Sequence, residues 1–427
     1  MSEIKDIPKH WEIKKLGEVC HTTSGGTPSR QKSSYYNGNI PWVKSGELDR
    51  GLILDTEEKI SDDAIKNSSA KVFPKGTLLI ALYGATIGKL AFLGVDAATN
   101  QAICGIFKND NMDSNYIYHF LFYKKTNLVK QGIGGAQPNI SQGILKNLDL
   151  PIPPLPEQQA IVAKIEELLS ELDNGKQQLL TAQKQLKVYR QSLLKWAFEG
   201  KLTNTNIKNG ELPKGWKNVK IIDIVEKSKH SLKAGPFGSS LKKEFYVQKG
   251  YKIYGQEQVI IDDAFFGDYY INKEKYEELK SCRVKPLDIL ISLVGTVGKV
   301  LILPTNCQEG VINPRLIKIT LDKEVYLHKF FKYYFESSYV KNFYSGKAQG
   351  TTMDVLNLGI IKTIPFPLPS LKEQQLIIDE LESKLTICDK IEETISQSLL
   401  QVETLRQSIL KQAFEGKLVN IKELTNV

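Results

Sequence analysis

Two glycine turns place a lysine where it could contact phosphate. GATIGK at 84–89 has the composition of a nucleotide-binding loop, but three residues instead of four precede its Gly-Lys pair, and Leu90 stands where serine or threonine is needed. The second half carries a shorter version, GTVGK at 295–299. We therefore interpret both as turns between buried strands, with Lys89 and Lys299 as candidate phosphate contacts.

The other reactive side chains show no catalytic or metal-binding spacing. The five histidines are scattered, and none has a second ligand at the i, i+4 spacing of a helical zinc site. GPFGSS at 235–240 has spaced glycines without a convincing strand–helix–strand context, so it does not predict a dinucleotide site. We expect neither a catalytic centre nor a metal site in this chain.

The composition is that of a folded globular protein with room for two or more domains. Hydrophobic residues make up 41% and charged residues 25% of the 427 residues, and domains average about 100 to 200 residues. The five cysteines include no Cys-x-x-Cys pair, and the first residues lack the apolar run of a signal peptide. We expect a cytoplasmic protein without a membrane role.

The chain is a tandem repeat. Shifting the sequence by 216 positions places residues 150–202 on 366–418 without a gap, and 22 of the 53 positions are identical. Outside this block the halves match faintly, as where IPKHW at 7–11 faces LPKGW at 212–216. The order is variable domain, shared segment, variable domain, shared segment, and we expect the two ends of the chain to lie close together.

The shared segment predicts a long helix. SLKE at 370–373 has the spacing of a capping box, and Gly200 and Gly416 stand where a left-handed residue ends a helix. Alternating three- and four-residue steps from Val162 meet apolar side chains at seven of ten positions, and the second copy does so at eight of ten. DNG at 173–175 ordinarily signals a turn. The second copy has no such breaker, so we predict two continuous helices that pair with each other.

The positive charge belongs to the variable domains. The helical blocks 157–201 and 373–417 carry net charges of +1 and −4, against +9 for the whole chain, so the remainder carries +12. Such a balance suits contact with nucleic-acid phosphates, and a merely solvated basic surface is the alternative.

We predict an α+β fold of two pseudo-repeated globular domains separated by two long antiparallel coiled-coil helices. The predicted bounds are 1–150 for the first variable domain, 151–205 for the first helix, 206–365 for the second variable domain and 366–427 for the second helix with its tail.

This arrangement resembles the specificity subunit of type I restriction-modification enzymes over the whole chain. The most specific pieces are PLPEQQ with its repeat SLKEQQ, the paired AFEGKL endings, SGGTPSR at 24–30, IPWVKSGEL at 40–48, TNQA at 99–102 and GPFGSSLKK at 235–243. The second domain departs from the pattern where TNQA becomes INPR at 312–315 and where the IPW phrase is lost, at 255–257.

The resemblance implies a non-catalytic subunit that reads two DNA half-sites, one with each target-recognition domain, and scaffolds other subunits through its helices. Two modification subunits would bring S-adenosylmethionine and adenine methylation, and restriction subunits would add ATP- and Mg-dependent translocation and cleavage. This chain itself would hold no cofactor. Two other interpretations stay open: a nucleotide-binding protein that uses the glycine turns, and a coiled-coil scaffold without DNA affinity.

The candidate DNA contacts are polar or cationic side chains in glycine-rich loops that flank core strands, where recognition side chains are usually presented. In the first domain they are Ser29, Arg30, Lys32, Lys44, Lys89, Gln137 and Asn139, and in the second they are Ser239, Lys242, Lys243, Lys299, Gln349, Thr351 and Thr352.

Overall fold

The computed structural model describes residues 7–131, 139–204, 207–208, 211–345 and 356–419. The chain divides into two compact units, Met1–Leu179 with Gln397–Val427, and Leu180–Ser396. Each unit therefore holds one variable domain, the beginning of one long helix and the end of the other. Across the described ranges, no helix combines the length and the apolar character needed to cross a membrane.

The first variable domain is built from short strands and helices. Its strands are β1 (Glu12–Lys15), β2 (Thr22–Ser24), β3 (Ile40–Val43), β4 (Leu52–Ile53), β5 (Glu58–Ile60), β6 (Val72–Phe73), β7 (Leu78–Ala81), β8 (Leu90–Leu93), β9 (Ala97–Thr99), β10 (Ile103–Ile106) and β11 (Asp149–Ile152). Its helices are α1 (Leu16–Val19), α2 (Asp62–Lys66), α3 (Ser114–Gln131) and α4 (Gln142–Lys146), and the long helix α5 (Leu155–Phe198) comes next.

The second variable domain has similar elements. Its strands are β12 (Lys217–Val219), β13 (Leu232–Ala234), β14 (Tyr246–Val247), β15 (Tyr251–Tyr254), β16 (Tyr270–Ile271), β17 (Ile289–Ser292), β18 (Val300–Ile302), β19 (Gly310–Ile312), β20 (Leu316–Ile319) and β21 (Phe366–Leu368). Its helices are α6 (Gln256–Ile261), α7 (Lys273–Glu278), α8 (His328–Phe335), α9 (Ser338–Ser345) and α10 (Leu358–Ile361), and the long helix α11 (Leu371–Phe414) comes next.

The two domains share most of their strand order, although β4 and β6 add to the sheets of the first and β14 adds to a sheet of the second. The first has sheets in the order β2-β10-β7-β8-β4 and β5-β3-β9-β6, and the second has β13-β20-β17-β18 and β14-β16-β15-β19. One parallel pair is common to both domains, with Val43 opposite Thr99 in the first and Tyr254 opposite Ile312 in the second. The first domain has a further parallel pair, β4 with β8. The predicted α+β fold with two pseudo-repeated domains is confirmed.

Both long helices are continuous over 44 residues. The predicted continuity of α5 through Gly175 is therefore confirmed. Each helix ends at a glycine in the left-handed region, Gly200 with φ 74° and Gly416 with φ 69°. The next residue closes the end, because the Lys201 N–H donates to the Trp196 carbonyl at 2.8 Å, as in a Schellman motif.

A buried glutamine joins the start of each long helix to its variable domain. The Gln158 Oε1 accepts from the Asp113 N–H at 2.9 Å, and its Nε2 donates to the Pro153 carbonyl at 2.9 Å. In the second domain Gln374 accepts from the Leu327 N–H at 2.8 Å in the same way. Both glutamines are 0% exposed. These contacts explain the first glutamine of the EQQ motif in both copies.

The end of α11 packs into the first variable domain, and the end of α5 packs into the second. Phe414, at the end of α11, contacts the rings of Tyr116 and Phe120 on α3, with centroids 5.2 and 5.4 Å away. Phe198, at the end of α5, contacts Phe330 on α8 in the same way, at 5.3 Å. Within each unit the two helix segments therefore run antiparallel.

Charged seam positions pair between the helices. Within the first unit the Arg406 guanidinium bonds Asp173, and within the second the equivalent Arg190 bonds Asp389. Shifting the sequence by 216 positions relates both members of these pairs. Asp173 therefore contributes an ion pair at a place where DNG suggested a turn.

The described ends of the chain meet within the first unit. A Cβ on Gly416 would lie 2.3 Å from Cγ of Pro8, and the Trp11 indole donates to Glu157 at 3.0 Å. The expectation that the ends lie close together is confirmed for residues 7–419; residues 1–6 and 420–427 lie outside the described residues.

His119 on α3 makes the stability of the first domain depend on pH. Its side chain is 9% exposed, and burial lowers its pKa to about 4 against the opposing attraction of Asp113. The Glu166 carboxylate lies 3.9 Å from Nε2. Glu166 is 58% exposed, so water screens its attraction and desolvation dominates. Between pH 6.5 and 4 the unfolded chain takes up a proton that the folded domain does not, so stability falls as the pH falls.

We expect His119→Phe to remove this dependence. From pH 7 to pH 5 the free energy of unfolding should fall by about 2 kcal/mol more in the wild type than in the variant. The measurement is urea denaturation, in which the unfolding transition of the first unit is followed. Equal losses in the two proteins would contradict a neutral, buried His119.

Candidate nucleic-acid interface

Four loops of the first domain leave the carboxyl ends of their strands at one place. The loops come after β2, β3, β7 and β9. The loop after β9, at 99–103, makes backbone hydrogen bonds to each of the other three. These bonds run from Gly25 N–H to Ile103 O (3.1 Å), Gly26 N–H to Thr99 O (2.9 Å), Asn100 N–H to Val43 O (3.0 Å) and Leu82 N–H to Ala102 O (2.8 Å). We call this place the loop junction of the first domain.

The second domain has an equivalent loop junction. Its bonds run from Gly235 N–H to Leu316 O (2.8 Å), Asn313 N–H to Tyr254 O (2.9 Å) and Leu293 N–H to Arg315 O (3.0 Å). The first turn requires glycine in both domains, because a Cβ on Gly25 would lie 2.2 Å from the Thr99 carbonyl oxygen and one on Gly235 would lie 1.9 Å from that of Asn313. The loops therefore start from the same backbone frame.

Glu58 holds two candidate cations of the first domain. The Arg30 guanidinium donates to it at 2.6 Å, and the Lys44 ammonium lies 3.1 Å from it and 2.9 Å from Glu57. The Arg30 hydrogen bond is the largest cause that lowers the pKa of Glu58. Arg30 also lies over the Tyr36 ring, 4.2 Å from its centroid. A guanidinium has five donors, so donors remain for phosphate or a base edge.

The other candidate cations of the first domain also have partners. Lys32 donates to the Tyr35 hydroxyl at 3.0 Å, and this bond raises the pKa of Lys32. Lys89 pairs with Asp49, which joins the loops that come after β7 and β3. The turn at 84–89 has positive φ at Gly84 and Gly88, as expected for a glycine turn between antiparallel strands.

The remaining candidates are either partnered or exposed, or they lie outside the described residues. In the second domain Lys299 lies 3.8 Å from Glu336, and Lys242 lies 3.7 Å from Glu244. The exposed candidates of this group are Ser29, Asn139, Ser239, Lys242, Lys243 and Lys299. Gln137, Gln349, Thr351 and Thr352 lie outside the described residues.

The segment at 251–271 occupies the place that 40–60, which begins with IPWVKSGEL, has in the first domain. The two segments align without a gap, because Ile40 pairs with Ile60 as Tyr251 pairs with Ile271. One of these 21 positions is identical. The IPW letters are lost, as expected, but the strand, the turn and the returning strand are kept.

Four further polar side chains belong to the junctions and were not among the candidates. The Thr27 hydroxyl donates to Gln101 in the first domain. In the second, the Arg315 guanidinium lies 3.4 Å from the Gln256 amide oxygen, and the Gln256 amide nitrogen donates to the Val294 carbonyl. The change from TNQA to INPR pointed to this place, but the sequence alone could not show which loops meet there.

The junctions differ in where they carry positive charge. When residues 40–60 are aligned with 251–271, Lys44 of the first domain corresponds to Gly255 of the second. Ala102 corresponds to Arg315, because each accepts the equivalent backbone hydrogen bond at its junction. Each domain therefore presents a different donor pattern from the same backbone frame. Among the described residues, no cluster of three His, Cys, Asp or Glu side chains could hold a metal ion.

We expect Lys32→Ala and Lys243→Ala each to weaken the salt dependence of DNA binding. Each lost phosphate contact lowers the slope of log K against log salt by about 0.9. The measurement is the affinity of the chain, assembled with its partner subunits, for duplex DNA over a range of salt. Lys75→Ala and Lys323→Ala are controls, because these exposed lysines lie at the opposite ends of the sheets. Equal slopes in all four variants would contradict the assignment.

Comparison with known proteins agrees with this organisation. Residues 8–182 and 213–401 both match the family model described as type I restriction modification DNA specificity domain. The MjaIX specificity subunit of Methanocaldococcus jannaschii is 31% identical over 53% of this chain and 54% of its own length, so that match spans about half of the relative. The EcoBI specificity subunit of Escherichia coli is 27% identical over 90% of this chain and 77% of that protein.

A solved structure has the same fold. The HsdS subunit from Thermoanaerobacter tengcongensis superposes with a TM-score of 0.64 at 20% identity, covering 96% of this chain and 98% of that one. The family model covers both halves of the chain, including both loop junctions and most of both long helices. The resemblance inferred from the motifs is confirmed, and the chain belongs to the family of type I restriction-modification DNA specificity proteins.

Proposed function

We propose that this chain selects the DNA sequence for a type I restriction-modification complex, with one recognition domain on each half of a bipartite site. The observation that carries the proposal is the duplicated loop junction. Both junctions present polar and cationic tips from one backbone frame, and Lys44 in the first and Arg315 in the second occupy different positions within it. Different donors in one frame suit two half-sites of different sequence.

The chemistry would come from partner subunits. Two modification subunits would bring S-adenosylmethionine for adenine methylation, and restriction subunits would use ATP and Mg for translocation and cleavage. This chain would hold no cofactor, and the complex would act in the cytoplasm on double-stranded DNA.

The long helices offer a surface for such partners. In the second unit Tyr189 and Trp196 lie seven residues apart on α5, with ring centroids 6.3 Å apart, and both are more than a third exposed. On α11, Ile387 and Ile391 are exposed one turn apart, and Leu400 is 77% exposed. Apolar side chains left in water at helical spacing support docking of a partner helix.

We expect single substitutions to change one half-site at a time. Lys44→Ala should relax the bases accepted in one half, and Arg315→Ala those in the other, since each side chain belongs to one junction. The measurement is sequencing of methylated adenines in cells that carry this chain with its modification subunits. A single substitution that changed both halves, or a wild type that produced no bipartite methylation, would contradict the proposal.

We expect the helices to set the gap between the half-sites. Both pass from one unit to the other, so four residues are inserted in each, after Ala182 and after Ser396. This adds ~6 Å of rise and about 400° of rotation, so the helix faces are nearly restored. At about 3.4 Å per base pair, the gap should widen by at most about two base pairs.

Sequencing of methylated sites decides the outcome. The same two half-sites with a wider gap are expected. Full activity with an unchanged gap, or altered half-sites, would show that the helices do not set the spacing. Two alanines inserted in the loop at 207–208 form the matched control, because they leave both helices unchanged.

A further inference from the structure

Phe237 is an aromatic side chain that the fold leaves in water. It is 86% exposed, the largest value among the exposed large hydrophobic side chains of the described residues. It lies in the loop after β13, at the loop junction of the second domain, and packs in none of the hydrophobic cores. An apolar ring left in water in this way is available for a contact outside this chain.

The backbone around Phe237 is held in place. The Gly235 N–H donates to the Leu316 carbonyl, and Gly235 lies so close to the Asn313 backbone that a Cβ would not fit between them. Pro236 fixes its own φ, and the Phe237 carbonyl accepts from the Ser240 N–H at 2.8 Å. The ring is therefore presented to solvent from a restrained turn, which lowers the entropy lost when it binds.

The first domain has no such side chain at the equivalent position. Counting from the equivalent glycines Gly25 and Gly235, Phe237 corresponds to Thr27. The Thr27 hydroxyl bonds Gln101, and Pro314 stands where Gln101 would be in the second domain. The second domain has therefore replaced a hydrogen-bonded pair inside its junction with an exposed ring and a proline.

The charges around Phe237 favour DNA over a protein partner. The junction carries three cations, Lys242, Lys243 and Arg315, and two carboxylates, Glu244 in the loop at 235–245 and Glu257 in the first turn of α6. Arginine and lysine beside an exposed apolar ring is the arrangement by which proteins hold phosphates while a side chain enters between base pairs.

We infer that Phe237 inserts into the base stack of the half-site bound by the second domain and unstacks one base-pair step there. The inference rests on the proposed DNA-reading function and adds a mechanism of sequence selection to it. Pyrimidine–purine steps unstack most easily, so the second half-site is selected partly by its deformability and the first is not.

The test uses the chain assembled with its modification subunits on the duplex site found by methylation sequencing. 2-Aminopurine replaces each adenine in turn, except the methylated one, and permanganate probes each thymine. Wild type should give a several-fold increase in fluorescence or reactivity at one step of the second half-site. Phe237→Ala should lose this signal and bind about tenfold more weakly, on the scale of base–aromatic stacking. Phe237→Leu should keep part of it.

Ile222→Ala is the control, because Ile222 is a 61% exposed apolar side chain of the same domain, two residues from Ile224, whose carbonyl accepts from the Asp322 N–H at the ends of the sheets opposite the loop junction. It should leave both the signal and the affinity unchanged. If Phe237→Ala keeps the signal, or if no step is unstacked while salt-sensitive binding persists, the insertion of Phe237 into the base stack is contradicted and the proposed selection of the DNA sequence is not. If the wild-type complex does not bind the site, both are wrong.

Discussion

The structure depends on two buried amide side chains. Gln158 and Gln374 each accept a backbone N–H of a recognition domain and donate to a proline carbonyl just before a long helix. Both are fully buried, so losing either partner would leave a polar group unsatisfied at a cost of about 1–3 kcal/mol. The first turn of each helix therefore cannot rotate against its domain, and the loop junctions inherit their orientation from the helices.

The sequence predicted the helices well because their pattern is local. Heptad spacing, proline before the start and glycine after the end are each readable within a few residues. The DNG segment was ambiguous because its turn propensity is local, whereas the Asp173–Arg406 pair that uses it joins residues far apart in sequence. Likewise SLKE predicted a capping box, and the Ser370 hydroxyl does accept the Glu373 N–H at 3.3 Å. The Glu373 carboxylate accepts from Asn204, which local spacing could not show.

The candidate interface was harder to predict because it forms where four strands end. Motif phrases located the loops, but the strand register that joins them appears only in the fold. Residues 40–60 and 251–271 keep one backbone path with one identical position, since a matching order of buried and exposed positions and the backbone bonds specify the path while side chains at the loop tips vary. Arg315 was passed over because it stands where the INPR sequence departs from the motif, and Phe237, although it lies in the GPFGSSLKK phrase, was passed over because the candidates were restricted to polar and cationic side chains.

The exchange of helix ends between the two halves has a consequence for synthesis on the ribosome. The core of the first domain includes Leu410, Ala413 and Phe414, which are the last described helix residues of the chain. Nearly the whole polypeptide must therefore emerge before this core can close, although its strands are translated first. Phe198, which belongs to the core of the second domain, has already been made when that domain is translated, because it precedes the domain in the chain. The first domain therefore keeps an unburied apolar face until the end of α11 has been made. The two domains complete their folding in the reverse of the order in which they are made.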